Sequence, residues 1–340
     1  MSLAVEPFEL ELRRPLSTAA GEIRERRGLL VRVEAAGVVG VGEATPLPGW
    51  TESLETCREA LERAAAVAPA WESALARVDD APAARHGLSL ALADARARAA
   101  DTPLATHLVE GPPADTVAVN ATVGDGSPEE TADAVVAATG EGYGTVKLKV
   151  GIGPVDRDVE RVRAARTRSD ATLRADANGA WDRSGAEQFL DAVGDELEYV
   201  EQPLPAAELG GLAALRTRGS VAVDESLAER GVDAALAADA ADVYVLKPMA
   251  LGGLDRTLAA GRAVRAAGAS VVVTTTIDAV VARTAAVHLA AALRIDRACG
   301  LGTADLLAAD LGPDPTPVER GEIRLSDRAG LGIDPDDVFD

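Results

Sequence analysis

Lysine is nearly absent from this 340-residue chain, which contains three lysines against 31 arginines. The three are Lys147, Lys149 and Lys247, and each lies late in a short apolar run, "TVKLKVG" or "VYVLKPM". Arginine keeps its proton in proteins, whereas a lysine close to other cations can lose it. The three positions are therefore candidates for proton transfer.

Cysteine is also scarce, and basic charge is in deficit. Cys57 and Cys299 lie far apart, which excludes a disulfide framework and a metal site built on paired cysteines. The chain has 55 acidic against 34 basic residues, a formal net charge of −21, which argues against binding to nucleic acid or to a membrane surface. Dispersed acids, with arginine in place of lysine, are typical of a salt-adapted organism and predict a solvated surface.

No segment has the pattern of a signal peptide or a transmembrane helix. The N-terminal "MSLAVEPFELEL" lacks a basic region and an apolar core. The most apolar later stretch is interrupted by Asp278 and Arg283. We therefore expect a soluble, cytoplasmic protein.

The N-terminal part of the chain predicts a small α+β unit. The stretch "GLLVRVEAAGVVGVGEATPL" has strand-like alternation on both sides of a glycine-containing turn, which predicts a hairpin. From Ser53 to about Ala100, apolar residues recur at helical spacing. We expect residues 1–110 to form a capping domain, which the Pro- and Gly-rich tail, residues 312–340, returns to complete.

The central part of the chain, residues 111–311, alternates strand and helix. Short β-rich runs recur roughly every 25 residues, with Ala-rich amphipathic segments in most of the intervals. The runs are "VAVNATV", "TVKLKV", "ATLRADA", "EYVEQP", "SVAVDES", "DVYVLKP", "SVVVTTT" and "RACGLGT". This pattern predicts an α/β fold, a modified (β/α)8-type, TIM-like barrel with an N-terminal α+β capping domain. A doubly wound open sheet is the alternative, but no Gly-rich phosphate loop follows the first strand.

Charged residues end five consecutive predicted strands, and the C-terminal strand ends are where barrels build active sites. Side chains at i and i+2 share one face of a strand. Lys147 and Lys149 should therefore face the lumen together, while Val146 and Leu148 face the surrounding helices. The same argument turns Arg174 inward beside the acid two residues later.

Three carboxylates, Asp176, Glu201 and Asp224, end successive strands at intervals of 25 and 23 residues. Such charges meeting in a poorly solvated site need protons or a cation to neutralise them. Oxygen ligands alone suit a hard ion, so we expect Mg²⁺, with Mn²⁺ left open and no other cofactor. Lys149 and Lys247 would lie on opposite sides of the metal, which suits proton abstraction beside a carboxylate.

At these residues the chain resembles the enolase superfamily over nearly its whole length. The matching pattern is Lys147-x-Lys149, Asp176-x-Asn178, Glu201-Gln-Pro, Asp224-Glu-Ser and Lys247-Pro. It looks like the muconate lactonising enzyme subgroup, which has a lysine on each side of the site. The histidine-dependent, mandelate-racemase-like members are disfavoured, because "TTTIDA" has no histidine. The stretches "GEATPLPGW", "LRAD" and "GLGT" are similar to those of o-succinylbenzoate synthases.

The resemblance implies a reaction, the Mg²⁺-dependent dehydration of 2-succinyl-6-hydroxy-2,4-cyclohexadiene-1-carboxylate to 2-succinylbenzoate in menaquinone synthesis. Lys149 would take the α-proton and then assist loss of hydroxide as water. Lys247 would be a positive charge on the other face, and Lys147 would help Lys149 to lose its proton. Residues expected to contact the substrate are Arg174, Asn178, Pro48, Gly49, Thr275, Thr276, Gly300 and Leu301. The partner would be a small carboxylate, and a homo-oligomer is left open.

Other reactions of the subgroup share these residues. N-acylamino-acid racemisation, dipeptide epimerisation and muconate cycloisomerisation all remain alternatives. Dipeptide epimerases usually carry Asp-x-Asp at the end of strand eight, where this chain has Gly300-Leu301-Gly302. A non-catalytic metal-binding barrel is disfavoured because all three lysines and all three acids are present.

Overall fold

The computed structural model describes residues 2–18 and 21–339. Its N-terminal antiparallel sheet has the order β1-β2-β3. The strands are β1 (Leu3–Thr18), β2 (Gly21–Ala35) and β3 (Val38–Ala44). The predicted hairpin is β2–β3, whose turn residues Ala36 and Gly37 both have positive φ, 53° and 81°, as a tight two-residue hairpin requires. Residues 1, 19, 20 and 340 of the predicted capping domain and its tail lie outside the described residues.

Four helices follow this sheet, in the region where the apolar spacing predicts helix. They are α1 (Leu54–Ala65), α2 (Trp71–Ala76), α3 (Pro82–Ala99) and α4 (Leu104–Leu108). Ser53 begins α1 by accepting the backbone N–H of Thr56 at 3.2 Å, an N-cap that satisfies one of the otherwise unpaired amides. Helix α3 packs on β3, where Gly40 and Gly42 face its backbone directly.

The central sheet is parallel, with its seven strands neighbouring one another in chain order. After β4 (Thr116–Ala118), which lies outside this sheet, its strands are β5 (Ala121–Val123), β6 (Thr145–Lys149), β7 (Thr172–Asp176), β8 (Val200–Glu201), β9 (Val221–Val223), β10 (Val243–Leu246) and β11 (Ser270–Val273). The helices are α5 (Pro128–Gly140), α6 (Val155–Arg168), α7 (Arg183–Val193), α8 (Leu209–Leu215), α9 (Glu225–Arg230), α10 (Val232–Ala237), α11 (Pro248–Leu251), α12 (Leu254–Ala266) and α13 (Val280–Ala292). The predicted TIM-like α/β fold is confirmed.

The structure departs from the eight predicted strands at both ends of the barrel. The first predicted strand is divided into β4 and β5, and only β5 joins the barrel sheet. The last predicted strand is reduced to two isolated parallel bridges, Cys299 to Val119 and Gly300 to Thr274. A Cβ on Gly300 would lie 2.5 Å from the Thr274 hydroxyl oxygen. Glycine therefore allows the backbone at position 300 to approach Thr274 more closely than a residue with a side chain could.

The C-terminal tail contacts both parts of the molecule. Its strands β12 (Val318–Glu319) and β13 (Glu322–Arg324) form a sheet with β4 in the order β12-β13-β4. Further on, the backbone N–H of Leu331 donates to Asp94 of α3 at 2.8 Å. The tail therefore links β4, at the start of the barrel, to helix α3 of the N-terminal unit.

Helix α13 is rich in alanine and valine, and all of its residues are buried. Its ring-bearing residue, His288, accepts the backbone N–H of Ala105 through Nδ1 at 3.1 Å and is a packing residue. In the described ranges, no helix has both the length and the apolar character needed to cross a membrane. Helix α13 is apolar because it lies between the capping unit and the barrel. Its residue Ala282 packs in the capping core, the buried cluster formed mainly by the N-terminal sheet and helices α1–α3.

We predict that Gly42→Ala destabilises the fold. The added Cβ would collide with the Gly87 carbonyl oxygen and lie 2.9 Å from the Ala91 backbone nitrogen, so β3 and α3 would have to separate. The expected loss is about 1–3 kcal/mol of unfolding free energy, measured by urea unfolding. Gly140→Ala is the control, since nothing lies within 4 Å of its new methyl group; equal losses in both variants would contradict the packing described.

Candidate active site

Strand β6 presents its lysines to the barrel lumen, as its alternation predicts. Val146 and Leu148 are fully buried on the opposite face, while the side chains of Lys147 and Lys149 are 14% and 34% exposed. The burial of apolar residues on one face fixes the register, because a slip by one residue would bury the charges among the helices.

The three predicted carboxylates meet these lysines at the C-terminal strand ends. Lys147 Nζ lies 3.0 Å from Asp176 Oδ2 and donates to both oxygens of Glu201 at 3.1 and 3.2 Å. Lys149 Nζ donates to Asp176 Oδ2 at 2.7 Å. Parallel pairing places Lys149 beside Asp176, and Asp176 beside Glu201, so adjacent strands carry successive charges to one edge of the sheet.

The third lysine closes the other side of this group. Lys247, one residue beyond β10, donates to Asp224 Oδ2 at 2.5 Å. Asp224 lies directly after β9 and precedes α9. The structure therefore brings together all six residues predicted as metal ligands or catalytic lysines.

Burial and mutual repulsion control the protonation of these groups. Burial opposes ionisation of Asp176, but Lys147 and Lys149 outweigh it and hold the pKa of Asp176 well below its usual value. Burial, reinforced by the charge of Asp176, raises the pKa of Glu201. Burial also raises the pKa of Asp224, although Lys247 opposes it. The pKa of Lys147 is raised because Asp176 and Glu201 together outweigh its own burial.

The donor set fits a hard divalent cation. Asp224 Oδ1 and Glu225 Oε2 are buried and have no hydrogen-bond partner in the described chain, and oxygens so placed are strong candidates for a cation. As the side chains stand, no three acidic, His or Cys side chains of the described ranges surround a common point. Lysine ammonium groups instead satisfy the carboxylates, and a cation binding there would compete with them.

Two polar residues, Asn178 and Gln202, hold the carboxylates in place. Asn178 accepts from Lys149 Nζ at 2.8 Å and donates to Glu225 at 2.8 Å. Gln202 is fully buried, and its Oε1 accepts the backbone N–H of Asp224 at 3.0 Å. The sequence pattern contains Gln202 and Glu225 but gave neither a role, because a single strand-end amide or acid has no distinctive spacing.

The loop at Pro48 and Gly49 covers one side of the mouth. Both residues are exposed, and the next residue, Trp50, places its ring centroid 3.3 Å from Lys247 Nζ. A cation on an indole face is stabilised by the ring quadrupole. The capping unit therefore contributes a wall of the site beside Lys247.

Four further residues predicted to contact the substrate are engaged in contacts within the protein. Thr275 and Thr276 are buried and engaged with Thr303 and Asp278. Gly300 and Leu301 lie at the barrel closure, where the Thr274 hydroxyl donates to the Gly300 carbonyl at 2.8 Å and Leu301 is 1% exposed.

Arg174 does not reach the mouth, so the predicted substrate contact for this residue is not supported. It is fully buried in the lumen and donates to Glu198 at 2.6 Å and to the Ala298 carbonyl at 2.7 Å. Its guanidinium also stacks on Tyr199, 4.7 Å from the ring centroid. Strand alternation correctly predicts that this side chain points into the barrel, but it does not predict how far along the barrel axis the guanidinium lies.

A buried carboxyl of the capping unit is a feature that sequence reasoning missed. Glu43 of β3 accepts the backbone N–H groups of Ala279 and Ala282, both at 2.8 Å, and so caps α13 from another part of the chain. Burial and the nearby Asp278 raise the pKa of Glu43 to about 7. The available signal was the acid in "VGEAT", an ionisable residue in an otherwise apolar strand.

Two family models match this chain. Residues 129–338 match the model described as "Enolase C-terminal domain-like", and residues 7–95 match "MenC, N-terminal domain". The chain belongs to the enolase superfamily. The first match includes all three lysines and all three carboxylates.

Individual relatives have different reactions in their names. An o-succinylbenzoate synthase of Thermobifida fusca is 41% identical over 66% of this chain and 73% of its own length. The chloromuconate cycloisomerase CbnB of Cupriavidus necator is 29% identical over 96% of this chain and 94% of its own. A dipeptide epimerase of Enterococcus faecalis, solved with Mg and L-Leu-L-Tyr, has a TM-score of 0.88 at 28% identity, covering 97% and 98% of the two chains.

We predict that Mg²⁺ stabilises the wild-type protein through Asp224. Saturation at about 100 times the dissociation constant should add about 2.7 kcal/mol to the unfolding free energy, seen as a higher melting temperature after addition of Mg²⁺ to chelator-treated protein. Asp224→Asn should lose most of this gain. Asp170→Asn, exposed before β7, is the control; an undiminished gain in Asp224→Asn would contradict the prediction that Asp224 binds the ion.

Proposed function

We propose that this protein is a Mg²⁺-dependent o-succinylbenzoate synthase, which dehydrates 2-succinyl-6-hydroxy-2,4-cyclohexadiene-1-carboxylate. The observation that carries the proposal is the pair of lysines on opposite sides of three buried carboxylates. The match of residues 7–95 to the MenC N-terminal domain and the 41% identity to the Thermobifida fusca synthase support this reaction among those of the superfamily.

Lys149 is the proposed base. Its amine takes the proton from the carbon beside the substrate carboxylate, and it is the most exposed of the three lysines. The ammonium so formed then gives that proton to the departing hydroxide, which leaves as water. The electron pair of the broken C–H bond completes the aromatic ring, and Lys149 returns to its starting state.

Lys247 is proposed to act as a fixed positive charge on the other face. Its contacts with Asp224 and the Trp50 ring hold the ammonium in place. An immobile cation suits stabilisation of an anionic intermediate, since its position needs no reorganisation during reaction. Lys147, between Asp176 and Glu201, is proposed to favour loss of the Lys149 proton through its own charge.

Asp176, Glu201 and Asp224 are the proposed Mg²⁺ ligands. When bound, the ion would supply positive charge where the substrate carboxylate gains electron density. The Enterococcus faecalis epimerase, solved with Mg, supports this choice of ion. Asn178 would keep Asp176 oriented, since its backbone N–H donates to Asp176 Oδ1 at 3.1 Å.

Dipeptide epimerisation is the second candidate, favoured by the structural similarity to the Enterococcus faecalis enzyme. A dipeptide carries an α-ammonium that needs an acidic partner. The closure segment Gly300–Gly302 carries no carboxylate, and a side chain at Gly300 would meet Thr274. This feature favours the dehydration.

Replacement of Lys149 tests the proposed base. Lys149→Ala and Lys149→Arg should both lower kcat by about 100- to 10,000-fold, because arginine keeps the charge but cannot accept the proton. Loss of the substrate's ultraviolet absorbance measures turnover, and circular dichroism checks the fold. A Lys149→Arg protein with most of its activity would refute the assignment.

Replacement of Lys247 separates dehydration from racemisation. If Lys247 acts only by its charge, Lys247→Arg should keep kcat for dehydration within about tenfold of wild type, while Lys247→Met should lose about 100-fold or more. A two-base racemisation would fail in both variants, because each removes the second proton carrier. Equal losses of dehydration in the two variants would assign Lys247 a proton-transfer role.

A further inference from the structure

Arg161 of α6 is a fully buried cation that takes no part in the chemistry proposed above. Its Nη1 donates to the backbone carbonyl of Lys149 at 2.6 Å, and its Nη2 donates to the carbonyl of Gly124 at 2.6 Å. Its Nε donates to the Thr131 hydroxyl of α5 at 2.9 Å. One guanidinium therefore joins two strand ends and two helices.

The two carbonyls belong to neighbouring parallel strands. Lys149 is the last residue of β6, and Gly124 is the first residue after β5. The paired register of these strands ends one step earlier, at Val123 and Leu148. Two carbonyl groups cannot bond to each other, but a planar fork of N–H donors can bridge them. Arg161 thus extends the connection between the strands to the level of the proposed base.

Asp158, on the same helix, contacts both Arg161 and the turn that follows β6. Its Oδ1 lies 3.0 Å from Arg161 Nη1, and its Oδ2 accepts the backbone N–H of Gly151 at 2.8 Å. Gly151 has φ +85°, and a Cβ there would lie 2.8 Å from the Ala180 methyl group. The Arg161–Asp158 pair therefore holds the carbonyl of Lys149 and the amide two residues later, on both sides of the turn that ends β6.

We propose that Arg161, held by Asp158, is a positioning residue that fixes the backbone of Lys149 and so directs its amine between Asp176 and Asn178. The link to catalysis rests on the proposed function, through Lys149 as the base; the link to geometry does not. A misplacement of a reacting group by about 1 Å can cost about 100-fold in rate. Loss of Arg161 should therefore lower kcat by about 10- to 100-fold, with KM changed far less.

Arg166 provides a matched control on the same helix. It also donates to two backbone carbonyls, Ala171 at 2.9 Å and Glu196 at 2.8 Å. Ala171 immediately precedes β7, so this contact lies at the opposite end of the barrel strands from Asp176. Arg166→Gln should lower stability without changing kcat or the environment of Lys149.

The scarcity of lysine makes a direct structural readout available without substrate. Protein labelled with ¹³C at the lysine ε-carbon should give three side-chain signals, assigned with Lys149→Met and Lys247→Met. At fixed pH, Arg161→Gln should shift the Lys149 signal and leave the Lys247 signal in place. Arg166→Gln should leave both in place.

The outcomes separate positioning from general stability. Arg161→Gln alone leaves Asp158 as a buried, unpaired charge, which can unfold the protein. The double variant Asp158→Asn/Arg161→Gln removes both charges together and is measured in parallel. It should show the same shift of the Lys149 signal. An unchanged Lys149 signal in a folded Arg161 variant, or equal shifts of Lys149 and Lys247, would overturn the proposal. Absence of turnover in the wild type would count against the proposed function alone, because the lysine spectrum tests Arg161 without substrate.

Discussion

The active site depends on the neutralisation of three buried carboxyl groups. Asp176, Glu201 and Asp224 are only 1%, 2% and 4% exposed, and uncompensated charges at such depth would be very costly. Lys147, Lys149 and Lys247 supply the compensation at distances of 2.5–3.2 Å. A lysine can lose its charge by giving up its proton, whereas an arginine keeps its charge.

The capping unit belongs to the same arrangement, because it fixes two strand ends of the barrel. Glu43 binds the first amides of α13, and the buried Arg26 donates to the carbonyl of Ile277, in the segment between β11 and α13, at 3.1 Å. Met249, two residues after Lys247, packs in the capping core. Trp50 then lies on the Lys247 ammonium. The wall of the site is thus held by contacts that lie outside the site.

The sequence predicted what depends on strand periodicity and strand order. Alternation in "TVKLKV" was enough to turn both lysines inward, and the order of parallel strands was enough to bring the carboxylates to one edge. It failed where an outcome depends on three-dimensional distance. The height of Arg174 in the barrel, the shortened closure at Gly300 and the bridge made by Arg161 follow from packing between segments far apart in the chain, and local spacing carries no signal of them.

The most direct test of the central claim is the substrate preference of the purified wild-type enzyme in Mg²⁺ and molar KCl. Its kcat/KM would be measured for the cyclohexadiene carboxylate, an N-acylamino acid and a dipeptide, each with and without chelator. We predict fast, Mg²⁺-dependent dehydration with the highest kcat/KM of the three. Racemisation or epimerisation as the fastest Mg²⁺-dependent reaction would contradict the proposed function while leaving the barrel and its carboxylate–lysine site in place.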